Sequence, residues 1–123
     1  MPRMKKTLVL GATTNPSRYA YVAVHRLLRH GHEVVPVGVR EGEVVAGLPI
    51  LHGTPPVTGV DTVTLYVGPA RQPAYYEYLL SLHPKRIIFN PGTENPELAA
   101  LAEAQGIETV EGCTLVMLSI GGY

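Results

Sequence analysis

The chain carries a single cysteine, Cys113, in 123 residues. One thiol excludes an internal disulfide and a cysteine-rich metal centre, and it suits a reducing compartment. There is no surplus of charge, because ten basic and ten acidic residues cancel. No overall field therefore draws the chain to nucleic acid or to an anionic membrane, and any anionic ligand must be held by local geometry. No apolar run approaches the roughly 20 residues of a membrane span, the nearest being residues 115–120. Lys5 and Lys6 precede an apolar stretch of about five residues that runs straight into the fold pattern, so it reads as strand rather than signal peptide. A cytoplasmic protein, neither secreted nor integral to a membrane, is expected. Internal repeats and low-complexity segments are also missing.

What is present is globular: 46% hydrophobic and 16% charged residues, with too many aliphatic runs for a disordered chain. One domain over residues 1–123 is expected. Residues 7–10 form a short apolar run ending in Gly11, the pattern of a strand buried on both faces of a parallel sheet. Residues 18–30 carry Tyr21, Val22, Val24, Leu27 and Leu28 at helical spacing, with Gly31 as C-cap. A second apolar, β-branched run over 33–39 completes a strand–helix–strand unit of about 30 residues, the length of a right-handed crossover. Residues 40–60 are rich in Gly and Pro and can form only a brief strand over 48–51. The pattern then predicts a strand over 60–67, a helix over 73–83 ended by Pro84, and a strand over 86–89. It continues with a helix over 96–105, capped by Asn95 with Pro96 at its first position and Gly106 after its end, and a strand over 107–110. Residues 113–120 fit either an edge strand or a helix. The alternation predicts an α/β fold of Rossmann type: a doubly wound, mostly parallel sheet in a three-layer α/β/α arrangement.

In such a sheet ligands sit beyond the carboxyl ends of the strands, where the strand order reverses. Three loops and one strand end lie at that edge. The first loop is Gly11-Ala12-Thr13-Thr14-Asn15-Pro16-Ser17-Arg18. Gly11 permits a sharp turn, Ala12 is small, and Thr13, Thr14 and Ser17 add hydroxyls beside the free N–H groups of a helix N-terminus. That composition suits a phosphate. It lacks the dinucleotide fingerprint, since Thr13 and Pro16 stand where its second and third glycines would be, and an ordinary tight turn fits the spacing equally. Beyond the second strand, Gly38 and Arg40 replace the acidic residue that NAD enzymes place there, so a phosphorylated ribose, as in NADP or coenzyme A, fits better. Gly68-Pro69-Ala70, after an apolar strand, offers a flat surface on which an adenine ring could lie, or simply ends the strand before a helix cap. Asn90, Pro91 and Gly92 form a polar turn before Glu94, a residue that could act as a base or could serve the helix dipole.

The five histidines, His25, His30, His32, His52 and His83, show no metal-ligand spacing and read as solvated or helix-terminal. Cys113 reads as a small buried hydrophobe. Tyr75, Tyr76 and Tyr78 read as packing residues, or as part of a contact with a second copy of the chain.

The strand-and-turn LVLGATTNPSRYAYVAVHRLLRHGHEVVPVG, the strand end YVGPA and the segment IIFNPGTENPELAALAEAQGIE together resemble small coenzyme A-binding proteins. These are related to the N-terminal domain of the succinyl-coenzyme A synthetase alpha subunit. The resemblance spans nearly the whole chain. It implies that Gly11, Ala12, Thr13, Asn15, Pro16 and Arg18 hold the cofactor's phosphates and that Val67, Gly68 and Pro69 line its adenine side. The chain departs from the pattern where the second strand ends Val37-Gly38-Val39 instead of Asn-Pro, and where Arg40-Glu41-Gly42 replaces a lysine-bearing loop. No counterpart of the synthetase's phosphorylated histidine is present, so the resemblance implies binding rather than catalysis. The leading expectation is a stand-alone module for coenzyme A or acyl-coenzyme A, its partner being that small molecule, with a homo-oligomer also allowed. A small NADP-binding enzyme or subunit and a regulatory domain that has lost its ligand are the alternatives.

Overall fold

The structure is a computed structural model that describes residues 3–123; Met1 and Pro2, included in the expected domain, lie outside the described residues. Five strands, β1 (Thr7–Leu10), β2 (Val34–Val37), β5 (Thr62–Leu65), β6 (Arg86–Phe89) and β7 (Glu108–Glu111), form one sheet in the order β2-β1-β5-β6-β7. Every pairing is parallel, and four-residue ladders run in register from Thr7↔Val34 to Phe89↔Glu111. The first four strands in that order are buried along their whole length, which explains why their sequences are continuous runs rather than alternating ones.

Side-chain alternation assigns the two faces. Leu8, Leu10, Val63, Leu65, Ile87 and Phe89 pack with Leu79 of α2 (Tyr76–Ser81) and with Leu98 and Ala102 of α3 (Pro96–Ala104). Val9 and Val34 pack on the other face with Ala20, Val24 and Leu27 of α1 (Tyr19–Arg29) and Leu118 of α4 (Thr114–Ser119). The sheet is thus doubly wound, with helices on both faces, as the alternation predicts. Its order reverses at β1, which lies between β2 and β5.

Several boundaries differ from those read in the sequence. Residues 113–120 resolve into α4, a helix. The connection after β2 contains a small hairpin, β3 (Glu43–Val45) paired antiparallel with β4 (Leu48–Pro49), turning at Gly47 with φ +83°. Only the second of these strands had a visible pattern. The expected helix over 73–83 is regular only over Tyr76–Ser81, because Pro69 and Pro73 each open a short 3₁₀ turn before it. His83, at φ +47°, closes it ahead of Pro84.

Both sheet edges are modified. At β2, Pro36 has no N–H to offer, and Leu51 bridges alongside Val37 while its own N–H donates to the Pro36 carbonyl at 2.9 Å. At β7, exposed Glu108 and Glu111 stand at the two strand ends.

His32 is not solvated, contrary to the sequence reading. It is 6% exposed, its Nδ1 accepts the Lys5 N–H at 3.0 Å, and its ring lies 4.9 Å from that of Tyr123. Cys113, read as buried, is only half-buried. On the same face buried Arg86 donates through Nε to Thr62 Oγ1 at 2.8 Å and sits over the Tyr123 ring at 4.3 Å.

Burial, and next the neighbouring His30, Lys5 and Arg86, hold His32 below its ordinary pKa of 6.5. A depressed histidine pKa means that the unfolded chain binds the proton more readily, so this contribution to stability is complete above about pH 6.5 and is lost as pH falls through the folded pKa. The thermal midpoint is expected to fall between about pH 7.5 and 5.5, before most carboxylates titrate. His32→Gln, which can still accept from Lys5 but does not titrate, should flatten that fall; an unchanged slope would refute the assignment.

Candidate functional site

Four chain segments converge beyond the carboxyl ends of β1, β2, β5 and β6 around a cleft of about 1000 Å³. They are brought together by glycine. A Cβ on Gly11, whose φ is +98°, would stand 2.9 Å from the Tyr66 carbonyl oxygen, and one on Gly38 would stand 2.6 Å from the Ala12 carbonyl oxygen. Both neighbours are backbone, so the turn after β1 touches the ends of β2 and β5 only because these side chains are missing.

That contact decides which amides face the cleft. The N–H groups of Gly11 and Ala12 both donate to the Val37 carbonyl, at 2.8 and 3.0 Å, and are engaged within the fold. The next stretch is an internally bonded turn. Asn15 N donates to Thr13 Oγ1 at 3.1 Å, Ser17 N and Oγ donate to Asn15 Oδ1 at 3.0 and 2.8 Å, and Arg18 N donates to the Asn15 carbonyl at 3.1 Å. The amides of Thr13, Thr14, Tyr19 and Ala20 have no hydrogen-bond partner among the described residues, and all four residues line the cleft. The donor set is therefore displaced two residues along the chain from the glycine that the sequence highlights.

Charge adds to this polarity. Arg18 occupies the N-cap position of α1 without making a side-chain cap, and the first turn holds no acidic residue. A cation at the positive end of a helix dipole is unfavourable by a few tenths to about 1 kcal/mol unless an anion offsets it. The contrast is α3, where Asn95 Oδ1 accepts from Glu97 N and Leu98 N at 3.1 and 3.2 Å and Glu97 sits in the first turn. One helix start is closed; the other is open and positive. Arg40 and Arg71 join Arg18 on the cleft wall, whose lining includes no Asp, Glu, Lys, His or Cys. None of the three arginines enters an ion pair among the described residues, where the pairs are Lys6–Glu33 and Lys85–Asp61.

Of the residues singled out from sequence, Gly11, Ala12, Thr13, Thr14, Asn15, Arg18, Gly38, Arg40, Val67, Gly68, Pro91 and Gly92 line the cleft, and Pro16, Pro69 and Asn90 do not. Asn90 is buried beneath its turn. Its Nδ2 donates to Thr64 Oγ1 at 2.6 Å and the Leu65 carbonyl at 2.9 Å, and its Oδ1 accepts the Thr114 N–H at 2.9 Å. A side chain so engaged braces strands instead of meeting a ligand. Glu94 likewise points to its own turn, accepting the Gly92 N–H at 3.0 Å. Tyr19, Ala20, Val39, Tyr66, Arg71, Ala74, Tyr75 and Thr93 line the cleft without having been singled out for it. Arg71 was the readable one, an arginine three residues past Gly68 at the ligand edge. Tyr66 lines the cleft while its side chain packs against the core on the α1 and α4 face, where burial of its hydroxyl raises that group's pKa far above the usual tyrosine value. Thr14 is buttressed, since a Cβ on Gly42 would come within 2.8 Å of its methyl.

The arrangement supplies amide donors, fixed positive charge and small apolar surface, a set suited to a phosphorylated ligand. No group of three metal-ligating side chains occurs among the described residues, and no helix there is long and apolar enough to cross a membrane.

An open parallel sheet with a cleft at its strand-order reversal defines an α/β protein of Rossmann-like type. The chain belongs to the CoA binding domain family, which it matches over residues 5–119. Among solved structures, it is similar to a crystal structure described as an uncharacterized protein, with 57% identity and a TM-score of 0.96, covering 99% of this chain and 100% of that one. A hypothetical protein from Pyrococcus horikoshii OT3 is 28% identical with a TM-score of 0.85, over 96% of this chain and 84% of that one. A conserved hypothetical protein from Pyrococcus furiosus is 27% identical with a TM-score of 0.78, over 92% and 98% respectively. No curated protein matches the chain.

Because the Gly38 contact is backbone to backbone, Gly38→Ala should destabilise the protein by about 1–3 kcal/mol, as overpacking does. Urea denaturation checks this, and an unchanged midpoint would show that the β1 turn has room to retreat.

Proposed function

We propose that the cleft binds coenzyme A or an acyl derivative and that the chain acts as a single-domain cytoplasmic binding module. The observation that carries this reading is the open N-terminus of α1, where the Arg18 side chain and the amides of Tyr19 and Ala20, with those of Thr13 and Thr14 in the preceding turn, have no hydrogen-bond or ion-pair partner among the described residues, set in a cleft wall that bears two further arginines and no acid. Coenzyme A matches that wall chemically. Its diphosphate suits amides at a helix start, and its 3′-phosphate is the kind of dianion that an arginine fork grips. Family membership supports the same ligand class. Arg40, at the end of β2, would also suit the phosphorylated ribose of NADP, which keeps that dinucleotide as the competing ligand.

Titration calorimetry with coenzyme A, dephospho-coenzyme A, NADP and ATP separates these readings. Coenzyme A is expected to bind most tightly. Arg18→Gln should weaken it by about ten- to a hundredfold, the range of a lost charge-assisted hydrogen bond. Failure of both coenzyme A forms to bind would sink the proposal, and tighter binding of NADP would replace it.

A further inference from the structure

The hydrogen-bonded ladder between β5 and β6 ends at Leu65↔Phe89. Beyond it the two chains separate into the loops that form one side of the cleft, Val67 and Gly68 on one and Pro91 to Thr93 on the other. Two strand ends leaving a sheet have no further backbone ladder to fix their spacing. Here Gln72 takes over. It is fully buried, it does not line the cleft, and its Nε2 donates one proton to the Val67 carbonyl at 3.0 Å and the other to the Thr93 carbonyl at 2.8 Å.

The orientation of this amide is dictated from outside it. Asn95 Oδ1 must accept from the start of α3, so its Nδ2 faces away and donates to Gln72 Oε1 at 2.9 Å and to Tyr76 Oη at 2.7 Å. With Oε1 thereby engaged, the Gln72 NH₂ can only face the two carbonyls. Each donor and acceptor of the Gln72 and Asn95 side chains has a partner, the condition under which a buried polar network rigidifies a site. Gln72 also anchors its own segment, since its carbonyl accepts the Tyr75 N–H at 2.8 Å, and Arg71 and Ala74 on either side of it face the cleft.

We infer that Gln72 is a positioning residue for the ligand site, bridging Val67 and Thr93 so that the β5 and β6 walls of the cleft are held at a fixed spacing before ligand arrives. The inference rests on the cleft's being the binding site proposed above. Preorganised walls raise affinity because ordering them is not charged to the binding step.

Two variants test it. Gln72→Glu is nearly isosteric, but its carboxylate sets oxygen against both carbonyls, and protonation restores one donor. Relative to wild type at the same pH, it should bind coenzyme A about tenfold or more weakly near pH 8, with the deficit shrinking several-fold near pH 5.5. A general loss of stability would not move that ratio with pH. Asn95→Ser keeps a hydroxyl cap for α3 while removing the donor that orients Gln72, and should weaken binding several-fold. Amide hydrogen exchange on the ligand-free variants should quicken at residues 66–71 and 91–94 while β1 is unchanged. Wild-type affinity in both variants, a deficit identical at the two pH values, or unchanged exchange would each overturn the inference. If Gln72→Glu does not fold, Asn95→Ser decides by affinity and exchange alone, since it carries no titrating group. Exchange needs no ligand, so a wild type that fails to bind coenzyme A removes the proposed function while the spacing role is still decided.

Discussion

The Val37 carbonyl, shared by the amides of Gly11 and Ala12, is the interaction on which the functional edge of the sheet depends. It ties the turn after β1 to the end of β2, and it forms only because Gly38 has no side chain to meet Ala12. The other side of the same turn rests on Tyr66, where Gly11 again leaves the space. With the turn fixed laterally on both sides, the amides of Thr13 and Thr14 that follow it are left without partners among the described residues, as are those of Tyr19 and Ala20 at the start of α1. A backbone contact therefore fixes the turn beside these free donors, and the hydroxyl-rich sequence around them largely satisfies itself.

Electrostatically the molecule is neutral as a whole and unbalanced at one place. Local concentration of three arginines with no acid among the lining residues leaves a helix start whose dipole and N-cap residue repel one another. Such an arrangement costs folding free energy unless something negative occupies it, whereas the start of α3 in the same chain is closed by Asn95. The lining offers fixed charge and hydrogen bonds but no Asp, Glu, Lys, His or Cys side chain, and it is on that composition that binding is proposed.

Much of this architecture was legible in the sequence. Asn95, Pro96 and Gly106 bracket α3 by chemistry that is local, and the aliphatic runs of β1, β2, β5 and β6 are continuous because both faces are covered. What was not legible depended on partners distant in sequence. The apolar stretch after Cys113 is short enough to suit strand or helix, and its outcome is set by Asn90, which receives the Thr114 N–H across the sheet. Asn90 itself looked like a ligand contact because a polar residue at a strand end usually faces outward. Its inward turn follows from Thr64, a hydroxyl inside the sheet that no local pattern explains. His32 looked solvated for the same reason, its partner being the backbone of Lys5. Arg71 was passed over because the glycine and proline before it drew the reading toward a flat surface and away from charge.

The two edges of the sheet bear on how copies of the chain can meet. Strand addition requires a run of free backbone donors and acceptors, and β2 presents a proline there, beside a segment that already occupies its carbonyl, while β7 ends in carboxylates that repel a like neighbour. Neither edge therefore offers the uninterrupted row of free backbone groups that edge-to-edge joining of sheets into larger ribbons requires. Backbone pairing between copies is thereby disfavoured at both edges, β2 and β7, of the sheet.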